Sequence, residues 1–170
     1  MKYRKYLTVF CTLFLFTIAT VPAQAAEQGD EFRLNVYGMY CNQCAYGLEQ
    51  ELKRTGGVMD AIVDLQNNSA VVKVEPSAPP AAEALVQAAL DQGLSVKEIA
   101  ATLTGLVERT TAGWELVCGS QRFNLTVEDA GLDLETLGNR TVTLEGVFAG
   151  IKGVDSATGE PQFIASSTER

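Results

Sequence analysis

Apolar and polar side chains alternate from residue 32 onward. Phe32, Leu34 and Val36 take every second place, and Arg33, Asn35 and Tyr37 fill the others. A period of two predicts a half-buried strand, which Gly38 ends. The period then changes. Ala45, Leu48 and Leu52 fall at helical spacing, with Glu49, Gln50, Glu51, Lys53 and Arg54 opposite them, which predicts an amphipathic helix of about three turns. Lys53 and Arg54 suit its C-terminal end, where free carbonyls concentrate negative charge, and Gly56-Gly57 stops it. A second strand is expected over residues 58–65, a turn over 66–69, and a third strand carrying Ala70, Val72 and Val74, with Lys73 and Glu75 in water. Three prolines between residues 76 and 80 break the chain. A second helix then covers residues 81–92, with Ala82, Leu85, Val86, Ala89 and Leu90 as its buried side, and Gly93 caps it. A fourth strand begins at Leu94. The polar residues 26–31 read as a loose lead-in.

Strand, helix, strand, strand, helix, strand over residues 31–100 is the split βαβ, ferredoxin-like order: an α+β domain with two helices on one face of an antiparallel sheet. Beyond residue 100 the texture shifts to Thr, Gly and β-formers. Strands are expected at 101–107, 114–118, 122–125, 141–148 and 162–165, with a short helix at 133–138. Short strands with turns between them predict a small all-β barrel over residues 101–167. By its strand order, and by the echo of Thr102-Leu-Thr-Gly-Leu-Val in Thr143-Leu-Glu-Gly-Val-Phe, it resembles an OB-like barrel. The echo reads as two neighbouring strands with equivalent glycine kinks. No linker separates the two parts.

The first 25 residues change the picture of where the protein works. Lys2, Arg4 and Lys5 precede an uncharged apolar run over residues 7–21, and Ala23-Gln24-Ala25 follows. That is the basic, apolar and small-residue sequence of a secretory signal peptide, residues 1–25. The run is shorter than the about 20 residues a span needs, so no stable membrane insertion is expected after cleavage, and a periplasmic or secreted location is. Cys11 lies in the middle of the run, not at its end as a lipid anchor requires. Cleavage removes three bases and no acid, taking the formal charge from −8 to −11. Such a surface repels phosphate backbones and anionic lipid and suits cationic partners and metal ions, so no nucleic-acid partner is expected.

Three cysteines remain: Cys41, Cys44 and Cys118. There is no histidine. Cys41 and Cys44 lie three apart, the first in a loop and the second at the start of a helix, so they can point to one spot. Thiolates suit soft ions. Two of them favour ions content with two or three ligands, Cu(I), Ag(I) and Hg(II), whereas zinc asks for four ligands. Backbone N–H groups at the helix start favour the thiolate form. The same pair can close into a structural or redox disulfide. Cys118 shares a face with Trp114 and Leu116 and reads as a small buried apolar residue; the competing reading is a third thiolate reaching the metal or a site for intermolecular disulfides. Met59 reads as an ordinary hairpin residue. Glu128, Asp129, Asp133 and Glu135 read as a solvated acidic face, since their spacing is not that of a calcium loop.

Gly38-Met39-Tyr40-Cys41-Asn42-Gln43-Cys44, with the helix and Gly57-Val58 behind it, resembles the heavy-metal-associated domain over about residues 31–100. That family includes copper chaperones, N-terminal domains of copper-pumping ATPases and periplasmic mercury-binding proteins. The resemblance implies that Cys41 and Cys44 are the metal ligands and that Met39 packs under the loop. Tyr40 departs from the Thr or Ser usual there. Leu94 stands where an aromatic commonly follows the glycine, and no lysine occupies that place. The expectation is a non-enzymatic exported protein that captures Cu(I) or Hg(II) and passes it by thiolate exchange to a metal transporter or another thiol-bearing acceptor. Two alternatives are a thiol–disulfide redox protein using the same cysteines and an envelope interaction module whose barrel docks on a transporter.

Overall fold

The computed structural model describes residues 29–127, 132–154 and 161–168. The segment read as a signal peptide, Cys11, Glu128 and Asp129 lie outside the described residues. Eight strands and three helices follow in order: β1 (Glu31–Tyr37), α1 (Asn42–Arg54), β2 (Val58–Asp64), β3 (Ser69–Val74), α2 (Ala82–Asp91), β4 (Ser95–Arg109), β5 (Trp114–Cys118), β6 (Gln121–Val127), α3 (Leu134–Leu137), β7 (Thr141–Ala149) and β8 (Gln162–Thr168).

The first four strands lie in the order β2-β3-β1-β4 and pair antiparallel. The alternation in β1 sets its register: Phe32, Leu34 and Val36 are buried, and Arg33, Asn35 and Tyr37 are exposed. Beneath them pack Leu48 and Leu52 of α1 and Leu85, Val86, Ala88 and Ala89 of α2. Leu90, expected on the buried side of α2, is 40 % exposed. It lies at the edge of the apolar stripe near the helix end, and Ala88 turns inward as well. The ferredoxin-like order predicted for this half is therefore present, with both helices in place.

The strands expected at 94–99 and 101–107 are one 15-residue strand, β4. No turn residue interrupts Ile99-Ala100-Ala101-Thr102, so nothing stops the extended chain. Its first part pairs with β1, its middle with β7 and its end with β5. Ala101 stands opposite Phe32 on one side and Gly146 on the other. From there β4-β5-β6-β8-β7 returns to β4 as a closed five-stranded ring. In it β6 and β8 run parallel, and the neighbouring pairs antiparallel. The two echoing segments are neighbours across the β4–β7 ladder, with Thr104 opposite Thr143 and their hydroxyls 2.9 Å apart.

One apolar core runs through both halves. Phe32 of β1 stacks on Phe148 of β7 (centroids 5.7 Å apart, planes at 22°), and Phe148 also meets Phe123 and Phe163. Past β7, the chain returns so that Val154 bridges Val96. The lead-in to β1, expected to be loose, is tied down. Asp30 is 3 % exposed. Its Oδ1 accepts the Thr104 N–H at 3.0 Å, and its carbonyl accepts the Val74 N–H at 3.0 Å. An acid is normally a surface residue, so its burial was not legible from the chain alone.

Candidate metal site at the tip of the first helix

Gly38 ends β1 with φ +93°, a left-handed backbone angle that side chains with a Cβ rarely adopt. Met39 follows it into the core, 2 % exposed, and anchors the loop from below. Tyr40 turns outward. Cys41 then takes the extended cap conformation of α1 (φ −143°, ψ 153°), and its Sγ accepts the Cys44 N–H at 3.1 Å. The Ala45 N–H bonds to the Cys41 carbonyl at 3.1 Å, closing the first turn. The first turn of α1 contains no acidic residue. A carboxylate cap would occupy these N–H groups and repel thiolates; here sulfur takes that place. Cys41 is exposed, and Cys44 is half-buried against the core. Their sulfurs are joined in a disulfide, with Cα atoms 5.2 Å apart.

Neighbouring elements hold this loop. Leu94, 5 % exposed, packs beside Gly38. The turn between β2 and β3 reaches over as well: the Asn68 carbonyl accepts the Val36 N–H at 2.8 Å. Tyr37 and Tyr40 meet edge to face with centroids 6.5 Å apart, and the Lys97 ammonium lies 4.6 Å from the centre of the Tyr37 ring. Proximity of the Tyr37 hydroxyl raises the pKa of Tyr40, first through hydrogen bonding and then through charge. Lys97 reaches the ring because β4 is bulged there. Asn35 pairs with Glu98 and Val36 with Val96, leaving Lys97 without an opposite residue and turned outward.

Of the candidate site residues, the structure brings Cys41 and Cys44 together and leaves Cys118 apart. Cys118 stands in β5, which pairs with the far end of β4, whereas the tip lies beside Ser95. Ten residues of strand separate those positions, roughly 30 Å. Cys118 is 1 % exposed, and burial, followed by the charge of Asp30, pushes its pKa up to about 12. The reading as a small buried residue accounts for it. Met59 is 70 % exposed, at a bulge of β2. Asp133 caps α3, accepting the Glu135 N–H and the Thr136 hydroxyl, and Glu135 pairs with Arg109. The sequence did not single out Lys97 or Asn68. Two adjacent polar residues, Lys97 and Glu98, interrupting the alternation of Val96 with Ile99, were the available sign of the bulge.

Reduced, this turn would present two thiols at a helix N-terminus. Among the described residues, no group of three or more Cys, Asp, Glu or His side chains is placed to hold a metal ion. Two sulfurs without further protein ligands suit a soft ion of low coordination number and do not meet the four-ligand demand of zinc.

The family model of the heavy-metal-associated domain matches residues 33–106. A solved structure named CopZ metallochaperone is 35 % identical, covering 39 % of this chain and 97 % of its own, with a TM-score of 0.37. A copper-binding domain of the P-type ATPase HMA7 is 28 % identical, covering 39 % and 92 %, with a TM-score of 0.36. The water-soluble region of the P-type ATPase CopA from Bacillus subtilis is 31 % identical, covering 48 % and 52 %, with a TM-score of 0.36. No curated protein sequence matches the chain. Through the segment that carries the cysteine pair, the chain belongs to the heavy-metal-associated domain family.

Proposed function

We infer that the protein is an exported, non-enzymatic carrier that captures Cu(I) or Hg(II) as cargo between Cys41 and Cys44 and hands it on by ligand exchange. The observation that carries this reading is the placement of both cysteines on one turn at an exposed helix tip, without a third protein ligand among the described residues. An ion held by two thiolates leaves room for an incoming sulfur. A partner thiolate enters as a third ligand, one protein sulfur departs, and the ion crosses without being released to water. The acceptor is a transporter domain or another protein offering thiolates. Export rests on residues 1–25 and their signal-peptide pattern.

The barrel supports an OB-like assignment through its connectivity. Its first strand (β4) closes on its fourth (β7), its third and fifth (β6 and β8) run parallel, and a short helix joins the third to the fourth. Nucleic-acid binding does not come with it. Arg109 is paired with Glu135, and Arg122 with Glu108 and Glu115, on a chain that is acidic overall.

The test is anaerobic titration of the reduced protein with Cu(I), Hg(II) and Zn(II) beside the Cys41→Ser/Cys44→Ser double variant. One equivalent of Cu(I) or Hg(II) taken up by the wild type alone supports the reading; equal uptake by the double variant overturns it. The disulfide favours a second reading, a thiol–disulfide redox protein. Catalytic turnover of a disulfide substrate would establish it.

A further inference from the structure

A sulfur bound in a disulfide cannot act as a thiolate ligand, so the Cys41–Cys44 pair must be reduced before it can hold a soft ion. The two sulfurs are not equally reachable. Cys41 is exposed at the cap of α1, while Cys44 is half-buried in the first turn against core side chains. Along the chain, between Glu31 and Glu49, the sole charged residue is Arg33, while Glu98, opposite Asn35, and Asp64, at the turn whose Asn68 carbonyl holds Val36, lie at the same end of the sheet. Tyr37, Tyr40 and Tyr46, 54 %, 79 % and 58 % exposed, lie in this same uncharged stretch, and the Lys97 ammonium sits on the Tyr37 ring. An incoming thiolate therefore meets exposed aromatic rings and the Lys97 ammonium beside the loop.

We propose that the protein is the substrate of a dithiol reductant and that reduction begins at Cys41 Sγ. One thiolate of the reductant attacks Cys41 Sγ along the axis of the protein disulfide. A new sulfur–sulfur bond forms to Cys41, the Cys41–Cys44 bond breaks, and its electron pair leaves on Cys44 Sγ. The reductant's second thiolate then attacks its own sulfur in the mixed disulfide, which closes the reductant's disulfide and releases Cys41 as thiolate. Two electrons pass from reductant to protein. The reductant's two protons go to solvent or to the cysteine pair. Two factors compete in choosing the attacked sulfur. Exchange is faster when the better-stabilised thiolate leaves, and the Cys44 N–H already serves Cys41. Cys44, however, lies within the same helix turn, where N–H groups also stabilise it, so accessibility decides for Cys41.

The assignment extends the carrier reading by naming the class of reaction that must precede capture. It rests on that reading for its purpose and not for its chemistry. The test incubates the oxidised wild-type protein with limiting glutathione, quenches with iodoacetamide and maps the adducts by mass spectrometry. Glutathione on Cys41 with carbamidomethyl on Cys44 is expected to exceed the reverse by about tenfold or more. An equal or greater share of glutathione on Cys44 overturns the proposal, as does failure of dithiothreitol to reduce the pair. Cu(I) titration of the oxidised and the dithiothreitol-reduced forms is the separate arm. Uptake by the reduced form alone supports the requirement for prior reduction, and equal uptake by the oxidised form overturns it. If neither form takes up copper while the adduct maps to Cys41, the carrier reading fails and the attacked atom stands.

Discussion

The Cys44 N–H donates to Cys41 Sγ at 3.1 Å. The first cysteine of the pair is thus also the cap of the helix that carries the second, and the chemistry of the site is part of the stability of α1. The two roles separate by substitution. In the reduced protein, Cys41→Ser keeps a capping oxygen and should leave stability within a few tenths of a kcal/mol of the wild type or above it, while Cys41→Ala should lose about 1 kcal/mol. Both should lose Cu(I) binding. Urea unfolding under reducing conditions reads the first effect and metal titration the second. Cys41→Ala as stable as the wild type would show that the sulfur contributes nothing as a cap.

Asp30 supports the start of β1 from inside the core, with Oδ1 on the Thr104 N–H and no partner for Oδ2 among the described residues. Asp30→Ala strands a buried donor and should cost about 1–3 kcal/mol. Asp30→Asn keeps an acceptor for the same N–H and should cost clearly less. Denaturant midpoints of the two variants give the comparison, and equal costs would mean that the negative charge, which both variants remove, is what stabilises the fold.

Burial pushes the Cys118 thiol up to about 12 from an ordinary value of 9.0. The folded state therefore resists ionisation that the unfolded chain accepts. The sign follows: this contribution is complete below about pH 9 and is lost as pH rises from there toward 12. Wild-type stability measured by denaturant should fall across that alkaline range faster than that of Cys118→Ala, whose baseline is lowered by the cavity but lacks this titration. Iodoacetamide near neutral pH should leave Cys118 unmodified in the folded protein and modify it in urea. Rapid modification of the folded protein would contradict the burial.

Phe32 and Phe148 stack across the boundary between the ferredoxin-like half and the barrel. Phe148→Ala should destabilise by about 3–5 kcal/mol and should do so for both halves together. Trp114, the sole tryptophan, reports the barrel by fluorescence, and far-UV circular dichroism follows α1 and α2. The two probes should give coincident unfolding curves in wild type and variant. Two separated transitions would show that the halves fold independently despite the shared strand.

Much of this architecture was legible because local patterns carried it. The alternation of Phe32, Leu34 and Val36 places β1 and its buried face, the helical spacing of Leu48 and Leu52 places α1, and Gly38-Met39-x-Cys41-x-x-Cys44 marks the candidate site. Each of these depends on residues a few positions apart, and each reappears in the structure. Resemblance to the heavy-metal-associated domain implied that Met39 packs under the loop, and it is buried there; Leu94, which departs from the family pattern, packs beside Gly38.

Other features depended on residues far apart in the chain. The run 95–109 reads as one strand or two until β1, β7 and β5 are seen to take successive parts of it. Asp30 looks like any polar lead-in until Thr104, 74 positions on, supplies the donor that lets its carboxylate be buried. Lys97 stands above Tyr37 because the β1–β4 register slips by one residue at that point. The sequence by itself determined the periodicities, the cysteine spacing and the charge. The tertiary structure decided which strands share an edge, which polar groups are sheltered and which sulfur faces water. These depend on pairing partners and enclosure, and no window of neighbouring residues contains them.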